Sequence, residues 1–101
     1  MDAQEILRAK LSELWQSKRS LLLDRVATLQ NAINSLPDLE QESAVAAAHN
    51  LAGVLGSFGL KRGTEIARKF ELAFAENPTP ANAEYQSQLD ELRSLIENHT
   101  L

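Results

Sequence analysis

Apolar positions along the chain recur at spacings of three and four residues, which is the period of an α-helix. No segment alternates between apolar and polar residues with flanking turn signals, so the pattern predicts no β-strand. Four segments carry a helical stripe, and the chain is therefore predicted to be all-α. In chain order, the stripes are Leu7, Leu11, Leu14, Leu22, Val26, Leu29, Ile33 and Leu36; Ala44, Ala47, Ala48, Leu51, Leu55 and Phe58; Gly63, Ile66, Phe70, Ala73 and Phe74; and Tyr85, Leu89, Leu92 and Ile96.

Capping residues and prolines set the limits of the first helix. Asp2 followed by Glu5 forms a capping box at its start, and Pro37 ends it. No glycine or proline lies between them. We therefore expect either one long helix over about residues 3–35 or two helices with a bend near residues 17–20. An unbroken helix of this length would be about 50 Å long and would overhang a bundle.

The other three helices follow the same rules. Asp38 can cap the second helix, and Gly59 can end it in the left-handed conformation. The third helix is expected over about residues 60–76, and Pro80 suits the first position of the fourth. Short connections between amphipathic helices favour an antiparallel up-and-down four-helix bundle. We expect one domain over residues 1–101, with the N-terminal half of the first helix either extending the bundle or capping it.

The composition of the chain argues against several classes of function. The chain has 101 residues, no cysteine and a net charge of −4, which argues against disulfides, a thiolate metal site and general nucleic-acid binding. No apolar run is long enough to span a membrane, and the polar N-terminus is unlike a signal peptide. No glycine-rich strand-to-helix loop is present to bind a nucleotide. We expect a cytoplasmic domain without a cofactor of its own, either alone or as a module of a longer protein.

The second stripe leaves one histidine on the opposite face of its helix. His49 lies well away from Leu51 and Leu55 at about 100° per residue, so it should face solvent. Five of the residues within about 60° of it on the helical wheel are small and uncharged. Interior helical glycines cost roughly 1 kcal/mol each relative to alanine, and they allow another group to approach closely. We therefore predict a partner-binding strip around His49 that consists of Val45, Ala46, Ala52, Gly53 and Gly56.

The segment from His49 to Gly53 reads His-Asn-Leu-Ala-Gly, with Gly59 ten residues after the histidine. This spacing resembles the histidine-containing phosphotransfer (HPt) domain, whose usual pattern is His-x-Leu-Lys-Gly followed by a glycine at the same distance. The resemblance continues through Ala67, Phe70 and Glu71. Ala52 departs from it, because most members carry lysine there, and a cation beside the phosphate is therefore missing.

The resemblance implies that His49 acts as a nucleophile. It also implies that the domain is a phosphocarrier and not an enzyme. Nε2 of His49 would accept a phosphoryl group from the aspartate of one receiver domain and pass it to the aspartate of another. The magnesium that such transfer uses would belong to the receiver. Glu71 stands where the family carries an acidic or amide residue near the histidine, so it could orient the imidazole; the alternative is a solvated carboxylate.

The remaining candidates concern charge. One of the cations Lys61, Arg62, Arg68 and Lys69 could steer an acidic partner or screen the phosphate, although a solvated face is the simpler alternative. Lys69 shares a flank with Arg62, and we assign Lys69 to the partner-binding set. Trp15 is expected in the core or at its end. His99 is expected at a fraying terminus without a function, and the two histidines do not suggest a metal site.

The sequence thus favours a monomeric phosphorelay intermediate. Two other functions are open. One is a helical adaptor that docks receiver domains without carrying phosphate, for which the missing lysine at position 52 is the best support. The other is the dimerisation segment of a histidine kinase, which would need two chains to complete its bundle.

Overall fold

The computed structural model describes residues 2–34, 41–76 and 82–99, and these residues form four helices without a strand. The all-α prediction is therefore confirmed. The helices are α1 (Ala3–Asn34), α2 (Gln41–Ser57), α3 (Lys61–Ala75) and α4 (Asn82–Asn98). The predicted roles of Pro37, Asp38 and Pro80 at helix ends, and of Leu36 in the first stripe, lie outside the described residues.

The helices pack as a closed ring in which α1 and α3 each contact both α2 and α4. Side-chain contacts give their directions. Near the end of α1, Gln30 Nε2 donates to Gln86 Oε1 over 2.6 Å, whereas Arg19 in its middle donates to the backbone oxygen of Glu97 over 2.8 Å. α4 therefore runs antiparallel to α1. The structure confirms the four-helix bundle in its up-and-down form.

α1 is one continuous helix of 32 residues. Asp2 Oδ1 accepts a hydrogen bond from the backbone nitrogen of Glu5 over 2.8 Å, so the predicted cap starts the helix. Of the two predicted alternatives, the unbroken helix is confirmed, because nothing in its sequence interrupts the backbone hydrogen bonds. The molecule is 54 Å long along its principal axis, close to the length expected for this helix.

The first part of α1 extends beyond the bundle. Leu7, Leu11 and Leu14 have the predicted helical period, but they are 58%, 38% and 51% exposed. This part of the helix therefore extends the bundle, which is one of its two predicted roles, and among the described residues no other helix lies opposite these leucines. The buried stripe of α1 begins only at Trp15. Periodicity specifies which side of a helix is apolar, but it does not show where the neighbouring helix ends.

The core lies between the four helices and consists mainly of the predicted stripes. Two phenylalanines of α3, Phe70 and Phe74, are fully buried and approach the ring of Tyr85 on α4 within 5.9 and 5.7 Å. The predicted core residues Phe58, Ala73 and Tyr85 are only half-buried, since they lie at the edges of their stripes.

An aromatic cluster closes the bundle at the end from which α1 projects. The ring of Trp15 is 3% exposed and lies edge-on to Phe58 and to His99, with ring centroids 5.1 and 4.7 Å apart. Trp15 is thus a core residue at the end of the bundle, as predicted. His99, which was expected at a fraying end, lies just after α4 and is half-buried against the indole.

A three-residue turn joins α2 to α3. Gly59 has a φ of +77°, a conformation that favours glycine, as predicted. The backbone nitrogen of Leu60 donates to the oxygen of Leu55 over 3.0 Å, and that of Gly59 donates to the oxygen of Gly56 over 3.1 Å. These two bonds form a Schellman motif. The motif ends α2 and turns the chain back, so α3 lies antiparallel against it.

Candidate functional site

His49 is exposed on the outer face of α2, as the helical wheel predicts. Its side chain is 68% exposed, whereas Ala48 and Leu51 on the opposite face are buried. One turn before it, Ala46 is exposed and Val45 is half-buried. The imidazole therefore stands at the surface among small side chains.

Glu71 of α3 contacts this imidazole. Oε2 of Glu71 lies 2.9 Å from Nδ1 of His49, and the carboxylate side chain is only 24% exposed. An ionised carboxylate can only accept, so Nδ1 carries a proton and donates it. In the neutral ring, Nε2 is then the nitrogen with the free lone pair. The sequence prediction that Glu71 lies near the histidine is confirmed.

An open groove runs along α2 and α3 beside His49 and Glu71. Several residues that line it were not predicted from the sequence. Glu42 lies seven residues before His49 on the same face of α2, so helical periodicity could have identified it. Asn50 could have been identified only by its proximity in sequence. The lining residues are Glu42, Val45, Ala46, His49, Asn50, Glu71 and Ala75.

The exposed glycines of α2 are not required by the packing of the bundle. A Cβ atom at Gly53 would meet nothing within 4 Å, and one at Gly56 would lie 3.7 Å from Thr64 Oγ1, an ordinary contact. Gly63 differs, because its Cβ would lie 3.2 Å from a methyl group of Leu55. Packing therefore explains Gly63, but it does not explain Gly53 or Gly56, each of which costs α2 roughly 1 kcal/mol relative to alanine.

Ala52 is not part of the exposed strip. It is 1% exposed, so the prediction that it lies beside His49 on the surface is wrong. The angle between Ala52 and His49 around α2 was predicted correctly, but a side chain at that angle faces α3. A wheel drawn for one helix does not show which side its neighbour covers.

Lys69 lies on a different flank of α3 from Glu71. The two residues are about 200° apart around the helix. Lys69 acts electrostatically on Glu91 of α4, and Arg62 donates to the same carboxylate over 2.7 Å. Lys69 and Arg62 thus share a flank as predicted, but this flank faces α4. The structure does not bring Lys69 to His49.

The hydrogen bond from Arg62 holds the pKa of the Glu91 carboxyl below its usual value, and the same bond raises the pKa of Arg62. Both groups are at the surface, where water and salt weaken such a pair. Arg62 is therefore committed to the contact between α3 and α4, away from the imidazole.

Two further properties concern the described residues alone. No group of three or more histidine, cysteine, aspartate or glutamate side chains in residues 2–34, 41–76 and 82–99 could hold a metal ion. None of the helices in these ranges has the length and apolar character needed to cross a bilayer.

Comparison with known proteins is consistent with this geometry. The family model of the Hpt domain matches residues 5–99. The protein RcaC of Microchaete diplosiphon is 36% identical in an alignment of 75 residues that covers 69% of this chain and 12% of RcaC. No solved structure matches the chain significantly.

A four-helix bundle that presents a histidine at its surface is the architecture of a histidine-phosphotransfer module in two-component signalling. The chain belongs to the Hpt domain family, whose model covers almost all of it. Hpt domains are phosphotransfer modules, not catalytic enzyme domains, and in phosphorelays they interact with receiver domains.

Proposed function

We propose that this domain is a monomeric phosphorelay intermediate that accepts a phosphoryl group on His49 from a receiver-domain aspartate and passes it to the aspartate of another receiver. The observation that carries the proposal is the contact between Nδ1 of His49 and Oε2 of Glu71. This contact fixes the tautomer whose Nε2 has a free lone pair, on a side chain that is largely exposed.

The transfer begins when the lone pair of Nε2 attacks the phosphorus of an aspartyl phosphate. The N–P bond forms, the P–O bond to the aspartyl carboxyl breaks, and the aspartate leaves as a carboxylate. No proton has to move, because Nδ1 already holds it. The ring gains a positive charge, which the carboxylate of Glu71 stabilises at 2.9 Å. The reverse sequence, with a second receiver, returns the phosphoryl group to an aspartate.

The docking surface in this proposal is the exposed face of α2. It comprises Val45, Ala46, Gly53 and Gly56 around His49, with Glu42 and Asn50 at its border. A receiver must bring its aspartate within bonding distance of Nε2, so the surrounding side chains have to be small. Ala52 is buried and lies outside this surface, and so does Lys69 on the other flank of α3.

Incubation with a panel of phosphorylated receiver domains tests the proposal. The wild-type domain should acquire an acid-labile phosphoryl label, and His49→Gln should acquire none while its helicity is unchanged. The chain has only two histidines. His99→Gln is therefore the matched control, and it should still be labelled. Labelling of His49→Gln would reject His49 as the acceptor.

The adaptor is the second candidate, and the neutral, buried Ala52 favours it, because the usual lysine is missing there. An adaptor would bind receivers through the same face but would stay unlabelled in the same incubation. The kinase dimerisation segment is disfavoured because four helices of one chain close the bundle. A dimeric mass in sedimentation would contradict the monomer proposed here. The cytoplasmic location stays a prediction.

A further inference from the structure

The register between α2 and α3 shows which residue lies opposite position 52. Two contacts fix this register: His49 meets Glu71, and Gly56 faces Thr64. Because the helices are antiparallel, steps forward along α2 correspond to steps backward along α3. Ala52 lies three residues after His49 and four before Gly56. The residue three before Glu71 and four after Thr64 is Arg68.

Arg68 is on the flank of α3 that borders the docking surface. Thr64, Arg68 and Glu71 are spaced by four and three residues, so they form one stripe along the helix. Arg68 is exposed and lines a groove together with Gly56, Thr64 and Glu65. This groove continues the line of α2 and α3 beyond His49 and Glu71.

The guanidinium of Arg68 is available for an incoming anion. Among the described residues, no acidic group lies within ion-pair distance of it, whereas Arg62 is paired with Glu91 and Glu65. Residues three apart on a helix have Cβ atoms about 5–6 Å from each other. An arginine side chain can span this distance, so it can reach from its own position towards the ring that Glu71 holds.

A phosphoryl group on His49 would be stabilised by a nearby cation. A phosphoryl group carries about two negative charges near neutral pH. On His49 it would stand close to the carboxylate of Glu71, in a chain whose net charge is −4. The family pattern provides this cation with a lysine on α2, but Ala52 is neutral.

We propose that Arg68 supplies from α3 the positive charge that the family pattern places at position 52 of α2. Its guanidinium donates hydrogen bonds to the phosphoryl oxygens during transfer, in the bidentate manner that suits arginine. It takes no part in bond making or breaking. This inference rests on the proposed function of His49, and it identifies Arg68 as the phosphate-binding residue of that site.

The test measures the rate of transfer from a phosphorylated receiver over a range of receiver concentrations. Arg68→Ala should lower the saturating rate about tenfold to a hundredfold, the scale of one charge-assisted hydrogen bond. The receiver concentration at half-maximal rate should change little. Lys69→Ala is the matched control, because it removes the adjacent cation on the other flank, and its rate should equal that of the wild type.

A second variant separates phosphate binding from any structural role. Adding Ala52→Lys to Arg68→Ala should restore most of the rate, because a long lysine stem can extend from a buried position to the surface. A wild-type rate in Arg68→Ala, or a change only in the half-maximal concentration, would overturn the inference and leave His49 as acceptor. A wild-type domain that no receiver labels would instead overturn the proposed function itself.

Discussion

Two exposed helical surfaces of this protein differ in almost every property. The N-terminal part of α1 exposes large apolar side chains, among them Ile6, Leu7 and Leu14, beyond the end of the bundle. The face of α2 around His49 exposes alanine and glycine beside the other helices. In the part of the chain that the structure describes, only the second has a polar group held in a defined orientation by a neighbouring helix. The apolar pattern was the stronger sequence signal, but the small-residue face has the geometry for chemistry.

The largest difference between the two surfaces should appear when their small residues are enlarged. Gly53→Leu should slow phosphotransfer about a hundredfold, because the docking aspartate would be held too far from Nε2. Its free energy of unfolding should stay the same or rise by about 1 kcal/mol, since leucine is a better helix former and a Cβ there meets nothing. Transfer kinetics and urea unfolding measure the two effects.

The matched control is Ala9→Leu, which enlarges an exposed residue in the part of α1 before Trp15 that extends beyond the bundle. We call this part the α1 extension. It should leave the transfer rate unchanged. Equal rates for Gly53→Leu and the wild type would show that the close-approach argument is wrong.

A smaller effect is expected from the carboxylate that holds the imidazole. Glu71→Ala removes the acceptor of the Nδ1 proton, so the ring loses its fixed tautomer and orientation, and transfer should slow about tenfold. Glu71→Gln is the control, because its amide oxygen can still accept the same proton, and most of the rate should remain. If both variants transfer at the wild-type rate, the contact has no role in orienting His49.

The smallest effect is expected on the α1 extension. Leu14→Ser should change the free energy of unfolding by less than about 0.5 kcal/mol and leave transfer unchanged, because this side chain is half exposed. Leu22→Ala, in the same helix but fully buried, should cost about 2–5 kcal/mol. A loss for Leu14→Ser as large as that for Leu22→Ala would mean that the extension is packed in solution.

Local patterns in the sequence were sufficient for most of the fold. The start of α1 at Asp2 and the end of α2 at Gly59 depend on neighbouring residues alone, and both predictions are confirmed. The stripe through Leu7 and Leu14 is helical but exposed, because burial also requires another helix opposite. That information is contained in the lengths of α2, α3 and α4 together, and not in α1.

Prediction of the functional site from local sequence patterns has the same limit. The exposure of His49 follows from the phase of a single helix, and the sequence predicted it. The burial of Ala52 and the placement of Arg68, in contrast, depend on the rotation of α3 against α2. The residue predicted from the sequence was therefore Lys69, which is adjacent to Arg68 in the chain but lies on another flank.

The short turn at Gly59 has a consequence for the whole site. Every residue proposed to act on the phosphate or to receive the partner lies between Glu42 and Glu71, on the two helices that this turn joins. A longer turn would loosen the tether that keeps Glu71 and Arg68 beside the imidazole, because the entropic cost of holding two chain ends together grows with loop length. Conversely, α1 and α4 only support this hairpin from behind. A designer could exchange them for another pair of helices of matching shape and keep the proposed site intact.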